Sequence, residues 1–290
     1  MTNNLSVSEL ILNPDGSVYH LNLLPQDISS TIITVGDPER VSMITDKFDH
    51  IRVKKSCREF LTHTGSYQGK EITVISTGIG TDNIDIVLNE LDALVNIDLQ
   101  KREIKADHTS LSIFRVGTSG TIQSAIPIDS ILLSRAAVGF DGLLGFYHDK
   151  IEQDHPFVMQ LREELQNRVP LAYYTNASSK LIELFNDDEI VYGTTLTMPG
   201  FYAPQGRAIR FKHPFPDLMR QLAEFSFQNE RLTNIEMETA GIYGLAEVLG
   251  HEAISVNAIL ANRMNGEFST QVEKTVDNAI ELTLNTIVKL

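Results

Sequence analysis

The sequence predicts an α/β fold: one domain over residues 1–290, with a central mixed but mostly parallel twisted sheet flanked by helices. Two observations carry this. Short runs rich in β-branched residues end in glycine-containing turns, and the stretches between them place apolar residues at helical spacing. The alternation strand, turn, helix, strand is that of the βαβ unit, which buries both faces of a parallel sheet and leaves ligands at the carboxyl ends of its strands.

Taken in order, Thr31-Ile32-Ile33-Thr34-Val35 and Ile72-Thr73-Val74-Ile75-Ser76 read as buried strands. Between Asn83 and Val95, the residues Ile84, Val87, Leu88, Leu91, Leu94 and Val95 form an apolar helical stripe, with Asp82 or Asn83 as its N-cap. The polar segment 96–109 reads as a solvated helix extension or surface loop. The run Leu111–Val116 is a strand leading into a turn, Gly117-Thr118-Ser119-Gly120. Further strands are expected at 130–133, 191–197 and 253–260, and helices at 156–167, 214–227, 238–249 and 271–288.

Composition narrows the class. With 42% hydrophobic residues in 290, the chain can bury a large core and shows no linker. The absence of an apolar run of about eighteen residues predicts no membrane helix, and an N-terminus without a basic or apolar leader predicts a cytoplasmic protein. A net charge of −14 disfavours nucleic acid and anionic membranes as partners. A single cysteine, Cys57, and no Cys/His cluster at ligand spacing predict neither a disulfide nor a structural metal.

Four segments bear chemistry. Arg115 lies in a buried strand, where a guanidinium needs an anion: either a phosphate or carboxylate ligand cradled by Gly117, Thr118, Ser119 and Gly120, or an ion pair with the chain's own Asp or Glu. In Gly36-Asp37-Pro38-Glu39-Arg40, Asp37-Pro38 reads as a helix cap, with Arg40 either solvated or on a ligand. In Glu236-Met237-Glu238, carboxylates suit a helix start, or a ribose diol covered by the methionine. In Phe201-Tyr202-Ala203-Pro204-Gln205-Gly206-Arg207, an aromatic platform precedes an amide and a guanidinium able to read the edge of a heterocycle, although a surface loop reads equally well.

These segments, with Ser56-Cys57-Arg58-Glu59-Phe60 and Ser76-Thr77-Gly78-Ile79-Gly80, occur in the order seen in the nucleoside phosphorylase family, and the chain resembles its uridine phosphorylase branch from about His20 to the C-terminus. The resemblance implies a single-domain phosphorylase fold. It implies that Gly36, Arg40, Arg115 and Thr118 hold phosphate, with Arg58 supplied by a neighbouring subunit. His20, also donated across that interface, would bond the ribose 5′-hydroxyl, and Met237 and Glu238 would hold the ribose. Phe201, Gln205 and Arg207 would bind the base, supported by Arg263. Residues 1–30 are then an interface arm, and the active unit is at least a homodimer.

Pyrimidine-type relatives resemble Phe-Tyr-x-Gly-Gln-x-Arg at the base loop, and here Pro204 replaces the glycine. Ile259-Leu260-Ala261-Asn262-Arg263 resembles the uridine branch and lacks the aspartate with which purine-type relatives protonate their base. The expected reaction is phosphorolysis of uridine to uracil and ribose 1-phosphate. Arg115 would stabilise the attacking phosphate, and Arg207 and Gln205 the departing base. Phosphate is a co-substrate, and no metal or cofactor is expected. A monovalent cation, held in some relatives by a Glu at the place of Glu59, backbone near Ile79 and a serine at the place of Asn83, is not carried over, because this chain reads Thr81-Asp82-Asn83 there. The alternatives are a purine nucleoside phosphorylase, a phosphate-independent nucleosidase and a non-catalytic nucleoside-binding protein.

Overall fold

A computed structural model describes residues 5–147, 155–169, 171–185 and 190–290, so the first four residues of the expected arm lie outside the described residues. The chain runs β1 (Thr31–Val35), α1 (Pro38–Thr45), β2 (His50–Cys57), β3 (Phe60–Tyr67), β4 (Lys70–Ser76), α2 (Thr81–Asn96), β5 (Ile97–Asp98), β6 (Glu103–Ile104), β7 (Ser112–Thr121) and β8 (Ile131–Gly139). It continues α3 (Pro156–Glu164), β9 (Tyr173–Asn176), α4 (Ser179–Ile182), β10 (Val191–Thr197), α5 (Leu218–Glu224), β11 (Ser226–Phe227), β12 (Glu230–Glu236), α6 (Thr239–Leu249), β13 (Glu252–Asn262), β14 (Glu267–Phe268) and α7 (Val272–Ile287).

The main sheet is mixed, in the order β11-β12-β10-β8-β13-β7-β1-β4-β3-β2. Its centre is parallel: β1 lies between β4 and β7, β7 pairs with β13, and β10 lies between β8 and β12. Alternating side chains feed two layers. Ile32 and Ile113 face the stripe Ile84, Val87, Leu88, Leu91 and Leu94 of α2 together with α6. Ile33 and Phe114 face Val41 and Ile44 of α1 and Val276, Ile280 and Leu284 of α7.

Several elements differ from expectation, each for a local reason. The predicted turn at residues 117–120 is strand: β7 continues to Thr121, because Gly120 and Thr121 pair antiparallel with Ile235 and Asn234 of β12. That pairing closes β12, β10, β8, β13 and β7 into a ring and brings the end of β12 against β7. Helix α2 is capped by Gly80 at φ 95°, a left-handed backbone suited to glycine, rather than by Asp82 or Asn83. Helix α3 stops at Glu164, ahead of Gln166 and Asn167 with φ of 55°. The helix expected over 214–227 shrinks to α5 and passes into β11, since Pro214 and Pro216 disfavour the helical region for the residues before them, His213 and Phe215. Strands β2 and β3 form a hairpin with no Asn-Gly or Asp-Gly signal, turning instead through Arg58 at φ 56°. The segment 96–109 is a docked hairpin, β5 paired with β6: Lys105 donates to the Val95 carbonyl, and the His108 ring meets the Leu249 carbonyl at 2.9 Å.

Candidate active site

The C-terminal ends of β1, β4, β7, β10 and β12 gather most of the sequence-predicted residues. Thr77 N–H donates to the Val35 carbonyl, which sets the turn after β4 beside Gly36. Asp37 caps α1 by accepting from Glu39 N–H at 2.9 Å, as the cap reading expected. Arg40 in the first turn of α1 is not solvated: it is partly buried and Nη1 donates to the Val116 carbonyl at 3.3 Å. Burial, then the nearby Arg115 charge, holds the Arg40 guanidinium below its ordinary pKa. Thr118 is half-buried farther along β7.

Arg115 is buried, and its anion is supplied by the chain itself. Nη2 lies 2.7 Å from Glu238 Oε2 and 3.0 Å from Glu236 Oε2, while Nη1 donates to Asn257 Oδ1 at 3.0 Å and Ser255 Oγ at 3.3 Å. Burial opposes the Arg115 charge, but Glu236 and Glu238 outweigh it and keep the group above the ordinary arginine value. The ion-pair alternative is therefore the arrangement found. Gly117 has a role the sequence did not suggest: the Arg115 guanidinium folds back over its Cα, into the space a Cβ would occupy.

The two carboxylates divide the work. Glu236 accepts from Thr197 Oγ1 at 2.6 Å and from the amides of Glu238 and Thr239 at 2.9 Å, so it fastens the start of α6 as well as Arg115. Glu238 takes the amide of Gly80 at 2.8 Å, joining the α2 turn to β7. Burial raises the Glu238 carboxyl, Arg115 opposes that shift and neighbouring Glu236 adds to it. Met237 between them is half-buried.

The loop after β10 is folded on itself. Arg207 lies over the Phe201 ring at 3.8 Å and donates through Nη1 to the Phe201 carbonyl at 2.7 Å and to Gln205 Oε1 at 2.6 Å. Burial, then Arg263, lowers the Arg207 pKa to about 10. Gln205 is buried and its carbonyl accepts from Arg263 Nη1 at 3.1 Å, so Arg263 braces this loop. One face of Phe201, expected to be open as a platform, is thus covered by Arg207. Asn262 spends its side chain on the backbone, donating to the carbonyls of Gln123 and Ile126 and accepting from the amides of Met264 and Asn265.

Residues 30–289 match the family model of the phosphorylase superfamily. The chain belongs to that superfamily. It is 34% identical over 260 residues to the uridine phosphorylase of Thermococcus kodakarensis, covering 90% of this chain and 83% of the relative. It is 27% identical over 271 residues to a DeoD-type purine nucleoside phosphorylase of Shewanella oneidensis, covering 92% and 97%. A crystal structure of a Trypanosoma brucei nucleoside phosphorylase, described as showing uridine phosphorylase activity, superposes with a TM-score of 0.85 at 28% identity over 97% of this chain and 100% of that one. The fold is the nucleoside phosphorylase fold, and the chain is a pentosyltransferase-type enzyme similar to uridine phosphorylases.

Within this phosphorylase-superfamily chain, two of the predicted residues stand apart from Arg115. Arg58 is exposed at the β2–β3 tip with its guanidinium 5.5 Å from the centre of the Tyr19 ring, and Tyr19 meets the His20 ring edge to face at 4.8 Å. Arg58 and His20 therefore share one surface patch. Sequence reasoning missed Glu236 as a second anionic partner of Arg115, and Ser255 and Asn257 as its supports. The spacing Glu-x-Glu was visible, but β13 lies far away in sequence. Asn83 packs its amide over Gly78 beside Glu59, the place where the resemblance located cation ligands. Asp92, His108 and His251 lie within 4.8 Å of one another at the opposite end of the sheet. They do not fit a metal: His251 Nδ1 accepts the Leu111 amide, which leaves the proton on Nε2 and no lone pair for an ion. Among the described residues, no helix is long and apolar enough to cross a membrane.

Proposed function

We propose that this enzyme catalyses phosphorolysis of a pyrimidine nucleoside, with uridine as the reference substrate. The single observation that carries the reading is the approach of Arg40 and Arg115. Arg40 reaches from α1 to the carbonyl of Val116, the residue after buried Arg115, so two guanidiniums meet at one sheet edge where the charge of Arg115 lowers the Arg40 pKa, and an anionic co-substrate is the economical reason to place them together. Gly36 and Thr118 border the same edge, and Arg58 from a neighbouring copy would complete the phosphate clamp, with His20 arriving on the same patch for the ribose 5′-hydroxyl. The active unit is then a homo-oligomer of at least two copies, with residues 1–30 forming part of the interface.

In this reading Glu236 keeps Arg115 anchored while phosphate takes over the contact now made by Glu238. The ribose hydroxyls then donate to Glu238, and Met237 covers the sugar. Phosphate oxygen attacks C1′ as the C1′–N1 bond breaks, and the bonding pair leaves on uracil, whose proton comes from solvent. Positive charge develops on the sugar above the phosphate, and negative charge on the base carbonyls. Arg207, released from the Phe201 face, and Gln205 would donate to those carbonyls, with Arg263 holding the loop. The pyrimidine assignment is supported by Asn262, an amide where purine-type relatives place an acid, its side chain committed to four bonds with backbone groups. The test is base release from uridine, thymidine, inosine and adenosine, with and without phosphate. Uridine should be cleaved only with phosphate, yielding ribose 1-phosphate. Release without phosphate would make the enzyme a hydrolase, and preference for inosine would remove the pyrimidine assignment.

A further inference from the structure

We propose that Glu90 of α2 is a positioning residue for the ribose 5′ subsite, holding His20 with Nε2 as a hydrogen-bond acceptor. The proposal rests on the reading above that His20 meets the 5′-hydroxyl in a neighbouring copy. Nothing in the local sequence links the two, which are 70 residues apart. Yet one carboxylate gathers the whole His20 turn: Oε1 lies 2.6 Å from His20 Nδ1, both oxygens accept the His20 amide at 3.0 Å, and Oε2 accepts the Leu21 amide at 2.9 Å.

The turn is a built element. Val18, Leu21 and Leu23 are buried against the α2 layer on either side of His20, and the Asn13 amide donates to the Val18 carbonyl at 2.9 Å. The His20 ring is also pinned edge-on against Tyr19, and its side chain retains 29% exposure. A carboxylate oxygen only accepts, so the proton of the neutral imidazole sits on Nδ1 and the lone pair on the outward Nε2. Such a nitrogen receives an O–H or N–H and repels an anion. The chemistry it selects is a free 5′-hydroxyl, or any 5′ donor, over a 5′-phosphate.

The experiment compares uridine, 5′-deoxyuridine and 5′-amino-5′-deoxyuridine, whose ammonium can only donate, in wild type, Glu90→Gln and His20→Ala. Nitrogen NMR of the His20 ring reads the tautomer separately from activity. In wild type, removal of the 5′-hydroxyl should raise KM about three- to tenfold, the worth of one hydrogen bond, with kcat little changed. In Glu90→Gln, the single amide oxygen stays with the backbone N–H groups and the NH2 faces Nδ1, so the proton moves to Nε2. The amino substrate should then lose about tenfold or more relative to uridine. An unchanged ratio in Glu90→Gln, or a wild-type spectrum with Nε2 protonated, overturns the proposal; the spectrum decides even if the variant does not fold. If His20→Ala still distinguishes uridine from 5′-deoxyuridine, the 5′ assignment of His20 itself is wrong. That failure is recognisable because the Glu90-dependent tautomer would persist in the spectrum.

Discussion

Replacing Gly117 with alanine tests whether Arg115 is held as described. A Cβ at 117 would fall on the guanidinium, and even Nη2, the farthest of the three atoms it meets, would lie at 2.6 Å. Ordinary contact needs about 3.5 Å or more, and the nearest atom, Nη1, would lie at 2.0 Å, so the group must retreat by roughly 1.5 Å. Its bonds leave no slack: 2.7 Å to Glu238 and 3.0 Å to each of Glu236 and Asn257 all lengthen beyond hydrogen-bond reach. Breaking a buried charge pair on one side costs about 3–5 kcal/mol. For a chain this size, that is a fall of about 5–8 °C in melting temperature. A displaced Arg115 should also cost about 10²–10³ in kcat/KM for phosphate, the worth of one well-placed donor. The assays are thermal denaturation and steady-state kinetics with phosphate varied, in a cycle with Arg115→Ala. Once the guanidinium is gone the new methyl has room, so Gly117→Ala should add almost nothing in the Arg115→Ala background. A Gly117→Ala protein with wild-type stability and phosphate KM, or one whose effects simply add to those of Arg115→Ala, would show that Arg115 is not held against Gly117.

Arg207→Ala should lower kcat about 10²-fold while moving the melting temperature by no more than about 2 °C, since the side chain is only partly buried; an unchanged kcat would remove its base-binding role. Arg58→Ala and Arg115→Ala proteins, each nearly inactive, should recover about a quarter of wild-type activity when mixed under exchanging conditions, because a mixed dimer contains one intact shared site. No recovery would place Arg58 outside a shared site. Asp141 is raised in pKa by burial, against the opposing bonds from the Leu143 amide and the Tyr173 hydroxyl. An acid raised on folding contributes stability that is fully present below its ordinary pKa and is lost as pH rises through the folded value. Wild type should therefore lose stability relative to Asp141→Asn from about pH 4 upward, and parallel urea-midpoint profiles would contradict this.

Patterns of short range are legible in the residues themselves. The β-branched runs form β1 and β4, the stripe from Ile84 to Leu94 forms α2, and Asp37-Pro38 caps α1, because each depends on side chains within one turn or one strand. The hairpin of β2 and β3 is not legible: its alternation is carried largely by Lys, Arg, His and Thr, and its turn uses Arg58 in place of glycine. The helix expected over 214–227 fails for a related reason, since apolar spacing does not reveal where the prolines and the pairing of β11 with β12 interrupt it.

For the site, residue types and order along the chain are enough to mark Arg40, Arg115, Glu238, Gln205, Arg207 and Arg263 as ligand-type groups, because chemistry is written in side-chain identity. Their present partners are decided by tertiary structure. Arg115 meets Glu236 and Glu238 only because β7 runs on to pair with β12, and Gly117 is needed only because the guanidinium folds back across it. Likewise Glu90 reaches His20 across 70 residues through the packing of the N-terminal turn on α2. A buried charge always requires an opposite one, which the sequence determines; which group supplies it depends on strand closure and packing, and these arise from contacts that no local pattern records.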